Sequence, residues 1–410
     1  MKQSYFLPLS FIGMMFFTCG FAFGLNPMLL PVLQGELHVS SFGSYWIIAV
    51  SFLPFLIWSG VVQKLIESMG YRRTMSLAFM LFALSFAIYW AAAEWVSYPL
   101  FLIASFVSGS ANTCLQSAIN PYVTILGPID SAARRISIMG ICNKLAWPLP
   151  GLFLVWLVGK EVETLNPSDL FTPFVVLVGI CLVLSLLCCF YPLPDVVDSG
   201  SGEIAAPESL YAEGKSSIWQ FPHLWLGAIT LFLYVGVETV SLSTLVDYAA
   251  NLGLESPDRY AWIAPIGMVI GYIWGVLCIP RFMSQATALK VCSCIAIIGA
   301  ILVPILPATW SIASIALLAL GCSLMWPALW PLAMADLGRF SGKGASLLTM
   351  SIAGGAVVPT IFGALNDYFR SVAIEAGETL IGCNQPSYWI CLPCFLFILA
   401  YGLWGYKIRR

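Results

Sequence analysis

The sequence predicts an all-α integral membrane protein, with twelve transmembrane helices in two pseudo-symmetric six-helix bundles. Three observations predict it. The chain of 410 residues is 60% hydrophobic and only 9% charged, where a soluble domain carries about 25% charged residues. Its apolar runs are about 20 residues long and lack strict alternation, so they span as helices and not as barrel strands, because lipid offers no partner to unpaired backbone groups. A polar stretch on either side of Gly200 then divides the runs six and six.

Each run has its own justification. The first, 6–33, begins just after Met1-Lys2-Gln3-Ser4-Tyr5, outruns a signal-peptide core and has no small-residue cleavage site before the next loop, so it is expected to be retained as a helix. Runs 42–62 and 74–93 flank a short basic loop holding Gln63-Lys64 and Gly70-Tyr71-Arg72-Arg73. Run 100–126 carries Gln116, Asn120 and a mid-span Pro121, and run 136–158 places Lys144 well inside an apolar span. Run 171–191 completes the first set. The Ser/Gly/Glu content of Pro194 to Ser217 is that of a flexible linker. Runs 224–249, 262–280, 291–306, 311–334, 345–365 and 388–406 follow it. The expected organisation is therefore an N-terminal bundle over 1–193, a linker over 194–219 and a C-terminal bundle over 220–410.

A weak internal repeat agrees with that division. Met139 and Pro148 of one segment fall in register with Met350 and Pro359 of another, and Pro121 with Leu126-Gly127 echoes Pro331 with Leu337-Gly338. Two six-helix halves related by an axis along the membrane normal form the major facilitator arrangement. On that alignment Lys144 faces a glycine, so the halves differ where chemistry would sit.

Charge placement gives orientation. Of the 18 lysines and arginines, the outer loops hold only Lys160, Arg259 and Arg370, Lys144 lies within a span, and the others fall on the side of the N-terminus. By the positive-inside rule both termini are cytoplasmic. The net charge of -2 carries no sign of a nucleic-acid partner. The 13 cysteines lie mostly in apolar runs without metal-ligand spacing and read as small buried hydrophobes, with Cys383 alone in a long polar loop. No metal or cofactor is expected.

Lys144 needs an explanation. A cation near the bilayer centre costs about 2.5–3.5 kcal/mol on insertion scales, so such a residue faces a polar cavity and has a task there.

The runs Asn120-Pro121-Tyr122-Val123-Thr124-Ile125-Leu126-Gly127-Pro128 and Arg135-Ile136-Ser137 with Asn143 carry a family resemblance, as do Gly24-Leu25-Asn26, Tyr234-Val235-Gly236-Val237-Glu238 and Gly354-Gly355. Over a stretch from about Phe16 to the C-terminus the chain resembles the fucose permease branch of the major facilitator superfamily, which includes glucose/galactose and N-acetylglucosamine permeases. The resemblance implies cation-coupled sugar uptake by alternating access through a central cavity, in a bacterial inner membrane. Two departures stand out. The family's carboxylates in the first and fourth spans are matched here by Pro27 and Gln116, while Glu238 stands where the fucose permease resembles a Gln.

Glu238 and Lys144 are the two charges placed near the midplane, whereas Asp247, Asp336 and Asp367 fall toward span ends. This makes Glu238 the candidate ion-coupling group, titrating or holding Na+, with Lys144 as its counter-ion, a competing cation or a substrate donor. A purely structural tie between the halves is the alternative. Whether the two touch is left open, because the sequence does not set the rotation of their helices.

Sugar recognition needs polar groups for hydroxyls and an aromatic face for the ring. The candidates are Asn26, Gln116, Asn120, Asn143 and Lys144 from the first half, and Glu238, Ser241, Trp326 and Trp330 from the second. Gln116 and Asn120 share a helical face, as do the two tryptophans. Arg72 and Arg73 are expected to make gating contacts on the cytoplasmic side. An enzyme is disfavoured: no His-Glu-x-x-His, no Gly-x-Ser-x-Gly elbow and no phosphate-cradling glycine loop with a lysine occurs. The expected function is import of a hexose, deoxyhexose or N-acetylhexosamine coupled to H+ or Na+, by a monomer in the lipid bilayer. An acidic sugar such as a sialic acid, an uncoupled uniporter and, more remotely, a sugar sensor on a carrier fold are the alternatives.

Overall fold

The computed structural model describes residues 6–125, 132–160, 164–190, 211–279 and 282–408. The end of the Asn-Pro motif, Leu126-Gly127-Pro128, most of the linker, and Arg281 lie outside the described residues. Within them the chain is helical throughout, with no strand. Among the described residues, eleven helices are long and apolar enough to cross a membrane.

The chain begins with α1 (Phe6–Gly35) and α2 (Ser41–Glu94). At 54 residues α2 would be about 80 Å long if straight, far more than a bilayer is thick. Gly70 resolves this. Its backbone sits at φ 80°, ψ 169°, a conformation glycine adopts without strain, and it breaks the helix between the two runs read from the sequence. Next come α3 (Tyr98–Ile125), α4 (Ala132–Ala146), α5 (Leu149–Val158) and α6 (Phe171–Phe190).

The run 136–158 is thus divided into α4 and α5. The cause is Pro148, which has no N–H for the carbonyl of Lys144 four residues back. That carbonyl accepts from the N–H of Trp147 at 3.3 Å instead, and the helix ends there.

After the linker come α7 (Pro222–Ser243), α8 (Leu245–Asn251), α9 (Ile263–Cys278), α10 (Gln285–Ile305), α11 (Ala308–Cys322), α12 (Met325–Met334), α13 (Ser341–Met350), α14 (Gly354–Ala376) and α15 (Cys391–Leu403). The break between α11 and α12 has the same origin as that after α4, since Pro327 cannot donate to the carbonyl of Ser323. A 3-10 turn, Ser351–Ala353, separates α13 from α14. α14 runs well past the expected end at 365, carrying Asp367 and Arg370 on helix and not on loop.

Packing follows membrane rules. On α9 the large residues Ile266, Ile270, Ile273 and Leu277 are exposed at helical spacing, while Ala264, Gly267, Gly271 and Gly275 face inward. Small residues bring helices together where lipid provides no hydrophobic drive, and large ones face the lipid. α1 meets α4 in this way: a Cβ on Gly20 would collide with the Asn143 carbonyl, and one on Gly24 with the Trp147 carbonyl. Gly354 lies equally close to the Phe232 carbonyl of α7, so the Gly354-Gly355 pair is a packing feature. α2 packs on α3 and α6, and α10 on α11 and α15. Helices before and after the linker meet where α4 crosses α9 and α2 crosses α14. All 13 cysteines are free thiols. Cys383 accepts a weak bond from the Asn251 amide at 3.5 Å.

Candidate functional site

The helix breaks converge on one cavity. Lys144 and Trp147 come from the end of α4, Trp326 and Pro327 from the start of α12, and Ile352 from the turn before α14. α7 supplies Tyr234, Val235, Glu238 and Thr239, and α3 supplies Gln116 and Asn120. The space between these side chains measures about 790 Å3, including the part open to solvent.

Lys144 and Glu238 touch. Nζ lies 3.2 Å from Oε1, and the two side chains are only 10% and 11% exposed. The α4 terminus favours the cation, since the last turn of a helix presents unpaired carbonyls and the negative end of its dipole. The indole of Trp147 adds a cation–π contact, 5.3 Å from Nζ to the ring centroid. On the other side, the O–H of Tyr234, one turn before Glu238 on α7, donates to the same Oε1 at 2.5 Å. The ion pair and the tyrosine hydrogen bond therefore meet at the same carboxylate oxygen.

One wall is aromatic. Phe52 stacks on Phe23 with centroids 4.5 Å apart, and Phe23 stacks on Trp147 at 5.8 Å. Tyr272, from α9, closes against Gly140 of α4, where a Cβ would come within 2.9 Å of its ring. Trp326 faces the cavity and stacks on Trp330 at 5.5 Å, while Trp330 lies outside the lining.

The sequence-derived residues divide into two groups. Gln116, Asn120, Asn143, Lys144, Glu238 and Trp326 are brought together around the cavity. The side chains of Gln116 and Asn120 have no hydrogen-bond partner among the described residues, so their amides are available to a ligand. Asn143 donates to the Phe16 carbonyl at 3.0 Å through Nδ2. Asn26, Ser241 and Trp330 are not in the lining. Asn26, 1% exposed, accepts from Tyr89 at 2.5 Å, and Ser241 donates to the Glu238 carbonyl at 2.7 Å. Arg72 donates to the Cys189 carbonyl at the end of α6, and Arg73 is exposed. Among the described residues no cluster of three or more His, Cys, Asp or Glu could hold a metal.

Sequence reasoning missed Phe23, Phe52, Trp147, Tyr234 and Tyr272. Four of them are ordinary apolar-run aromatics with no local signal. Tyr234 had one: it stands four residues before a buried carboxylate, the spacing that puts a donor on the same helix face.

A chain of many membrane-length helices, several broken around a solvent-connected cavity that holds a buried ion pair and free amides, defines a polytopic membrane carrier. The model for the Major Facilitator Superfamily matches residues 11–360, and the chain belongs to that family. A glucose/galactose transporter of Brucella abortus biovar 1 (strain 9-941) is 30% identical over 99% of this chain and 96% of its own length. The L-fucose-proton symporter of Escherichia coli (strain K12) is 26% identical over 89% of this chain and 88% of its own. Among solved structures, the outward conformation of FucP superposes with a TM-score of 0.69 at 22% identity, covering 100% of both chains. The proton:xylose symporter XylE gives 0.73 at 14%, covering 98% of this chain and 96% of its own. These likenesses establish the fold, an all-helical major facilitator arrangement in a multi-pass membrane protein.

Proposed function

We propose that this chain imports a neutral monosaccharide by alternating access, coupled to a proton. The observation that carries the reading is the Lys144–Glu238 pair, 3.2 Å apart in a cavity that also presents the unpaired amides of Gln116 and Asn120. An unpaired Lys144 would suit an acidic sugar. Its partner cancels that charge, and what else faces the cavity is the two amides and an aromatic wall of Phe23, Phe52 and Trp147. These suit a hexose, deoxyhexose or N-acetylhexosamine. The named relatives, transporters of glucose/galactose and a proton symporter of L-fucose, agree with that class and favour the proton over Na+.

In this reading Glu238 is the coupling group. Binding of the ion at Glu238 changes its bonds to Lys144 and Tyr234, which join α4 to α7, and so biases one access state over the other. Asn120, Gln116 and Asn143 bind hydroxyls, Trp326 bounds the opposite side of the cavity, and Asn26, Ser241 and Trp330 hold the framework. The break at Gly70 makes two spans of α2, giving twelve crossings in bundles over 1–193 and 220–410 joined by the linker 194–219. Both termini face the cytoplasm of a bacterial inner membrane, and a monomer contains the whole pathway.

The test is uptake of labelled sugars into proteoliposomes under an imposed pH gradient, an imposed Na+ gradient or neither. Accumulation of a neutral sugar driven by the pH gradient and lost in Glu238→Gln is the expected result. Counterflow without accumulation under either gradient would make the protein a uniporter and return the ion pair to a structural role.

A further inference from the structure

Two carboxylates carried by helices after the linker close on the first turn of α2. Asp367, on α14, accepts from the backbone N–H of Ser41 at 3.1 Å through Oδ1 and from that of Phe42 at 3.0 Å through Oδ2. These are N-terminal donors with no partner inside their own helix, at the positive end of its dipole. The next donor, Gly43 N–H, is satisfied locally by the Ser40 hydroxyl at 3.1 Å. α2 therefore borrows part of its cap from a helix on the far side of the linker in sequence. One turn on, the O–H of Tyr45 donates to Oδ2 of Asp247, on α8, at 3.2 Å. The Tyr45 ring is fully buried and lies on Gly363, where a Cβ would come within 3.0–3.2 Å of it.

We propose that the Asp367 cap and the Tyr45–Asp247 bond form a two-point gate, shut in this structure, that seals the cavity from the face at the start of α2. The inference rests on the alternating-access reading above. The position supports it. Ser41 lies about 16 Å along α2 from the cavity residue Phe52, and the cavity extends the other way, toward Phe16, Asn120 and Ile136. The chemistry suits a gate as well. Both ties are hydrogen bonds to carboxylates that water can replace when the helices part, so closing is favoured only modestly and remains reversible. Gly363 gives the close seat for Tyr45 that a larger residue would deny.

The gate predicts which amides open. Hydrogen–deuterium exchange of the purified protein in nanodiscs, without sugar, reads peptides covering Ser41 to Ser44 and, as a reference, α10. Asp367→Asn removes the charge and one acceptor, and exchange at Ser41 to Ser44 should rise about tenfold, the scale of one charge-assisted bond at a helix terminus, with α10 unchanged. Asp367→Glu should restore most of the protection. Unchanged exchange at Ser41 to Ser44, or a rise shared with α10, overturns the gate. Because no sugar is present, failure here is distinguishable from failure of the transport reading, which the gradient-driven uptake assay scores separately.

Discussion

Lys144 and Glu238, on helices from opposite sides of the linker, meet at 3.2 Å with each side chain about nine-tenths covered. A buried pair of this kind is a weak source of net stability but a strong liability when halved, because the remaining charge is left without its partner. The arrangement joins α4 to α7 across the cavity, where a change at either residue is felt by both helices.

Halving the pair should therefore be costly. Lys144→Met alone is expected to lower unfolding stability in detergent by about 3–5 kcal/mol, because it leaves the carboxylate buried with Tyr234 as its one protein donor. The double change Lys144→Met with Glu238→Leu should recover most of that loss while leaving uptake abolished. Recovery of uptake in the double variant would show that the pair only ties the helices together.

Tyr234→Phe removes the 2.5 Å bond to Oε1 and little else. A hydrogen bond to a charged group is worth about 1.5–3 kcal/mol. The variant should keep its fold and show a matching loss in thermal stability. Its gradient-driven accumulation should fall more than its counterflow, because under the proposed function the group it holds couples the ion and is not a sugar contact alone.

The amides of the cavity and of the framework should behave differently. Gln116→Ala and Asn120→Ala break no hydrogen bond among the described residues, so each is expected to weaken sugar binding about tenfold, or about 1.4 kcal/mol, with stability unchanged. Asn26→Ala breaks the bond to Tyr89 and should instead lose about 1–2 kcal/mol of stability. Binding constants and melting curves for the three variants decide the assignment.

The gate should respond to pH through Asp247, which lies beyond the apolar span of α7. Burial pushes its carboxyl above the ordinary carboxylate range. The Tyr45 bond, the nearby Gln34 amide and the charge of Arg370 pull it partway back, and the charge of Asp367 adds to the rise. The turn packed beside α8 also carries Asp258 and Arg259. Opening would return the carboxyl to water and to its usual value, so the shut gate binds the proton more tightly than the open one. Acidification therefore favours the shut gate, and raising the pH through the elevated value weakens it. Exchange at Ser41 to Ser44, corrected for intrinsic rate, should be faster at about pH 8 than at about pH 5, and Asp247→Asn should flatten the difference.

Much of this protein was legible before folding was considered. The apolar runs determined the helices, because lipid leaves the backbone no other way to satisfy itself. The break at Gly70 falls in the loop read between two runs, whereas those at Pro148 and Pro327 lie inside runs read as continuous, although a missing N–H acts through neighbouring residues alone. The polar residues of α3 and α4 could be named as cavity candidates because their cost in a membrane is a property of type and depth.

Rotation and long-range contact were decided by the tertiary structure. Asn26 and Asn120 look alike in sequence, yet one is turned to Tyr89 and the other to the cavity, because helix packing sets which face each presents. The sequence puts Asp247 and Asp367 toward span ends, where water and loop partners are at hand, and α14 runs on past Asp367 to Ala376. Their bonds to Tyr45 and to the first turn of α2 depend on α14 and α8 lying against α2, a contact between segments more than two hundred residues apart. The meeting of Lys144 with Glu238 is of the same kind. Sequence determined that each charge needed a partner, and only the packing of α4 against α9, with α7 facing α4 across the cavity, decided that they would supply one to each other.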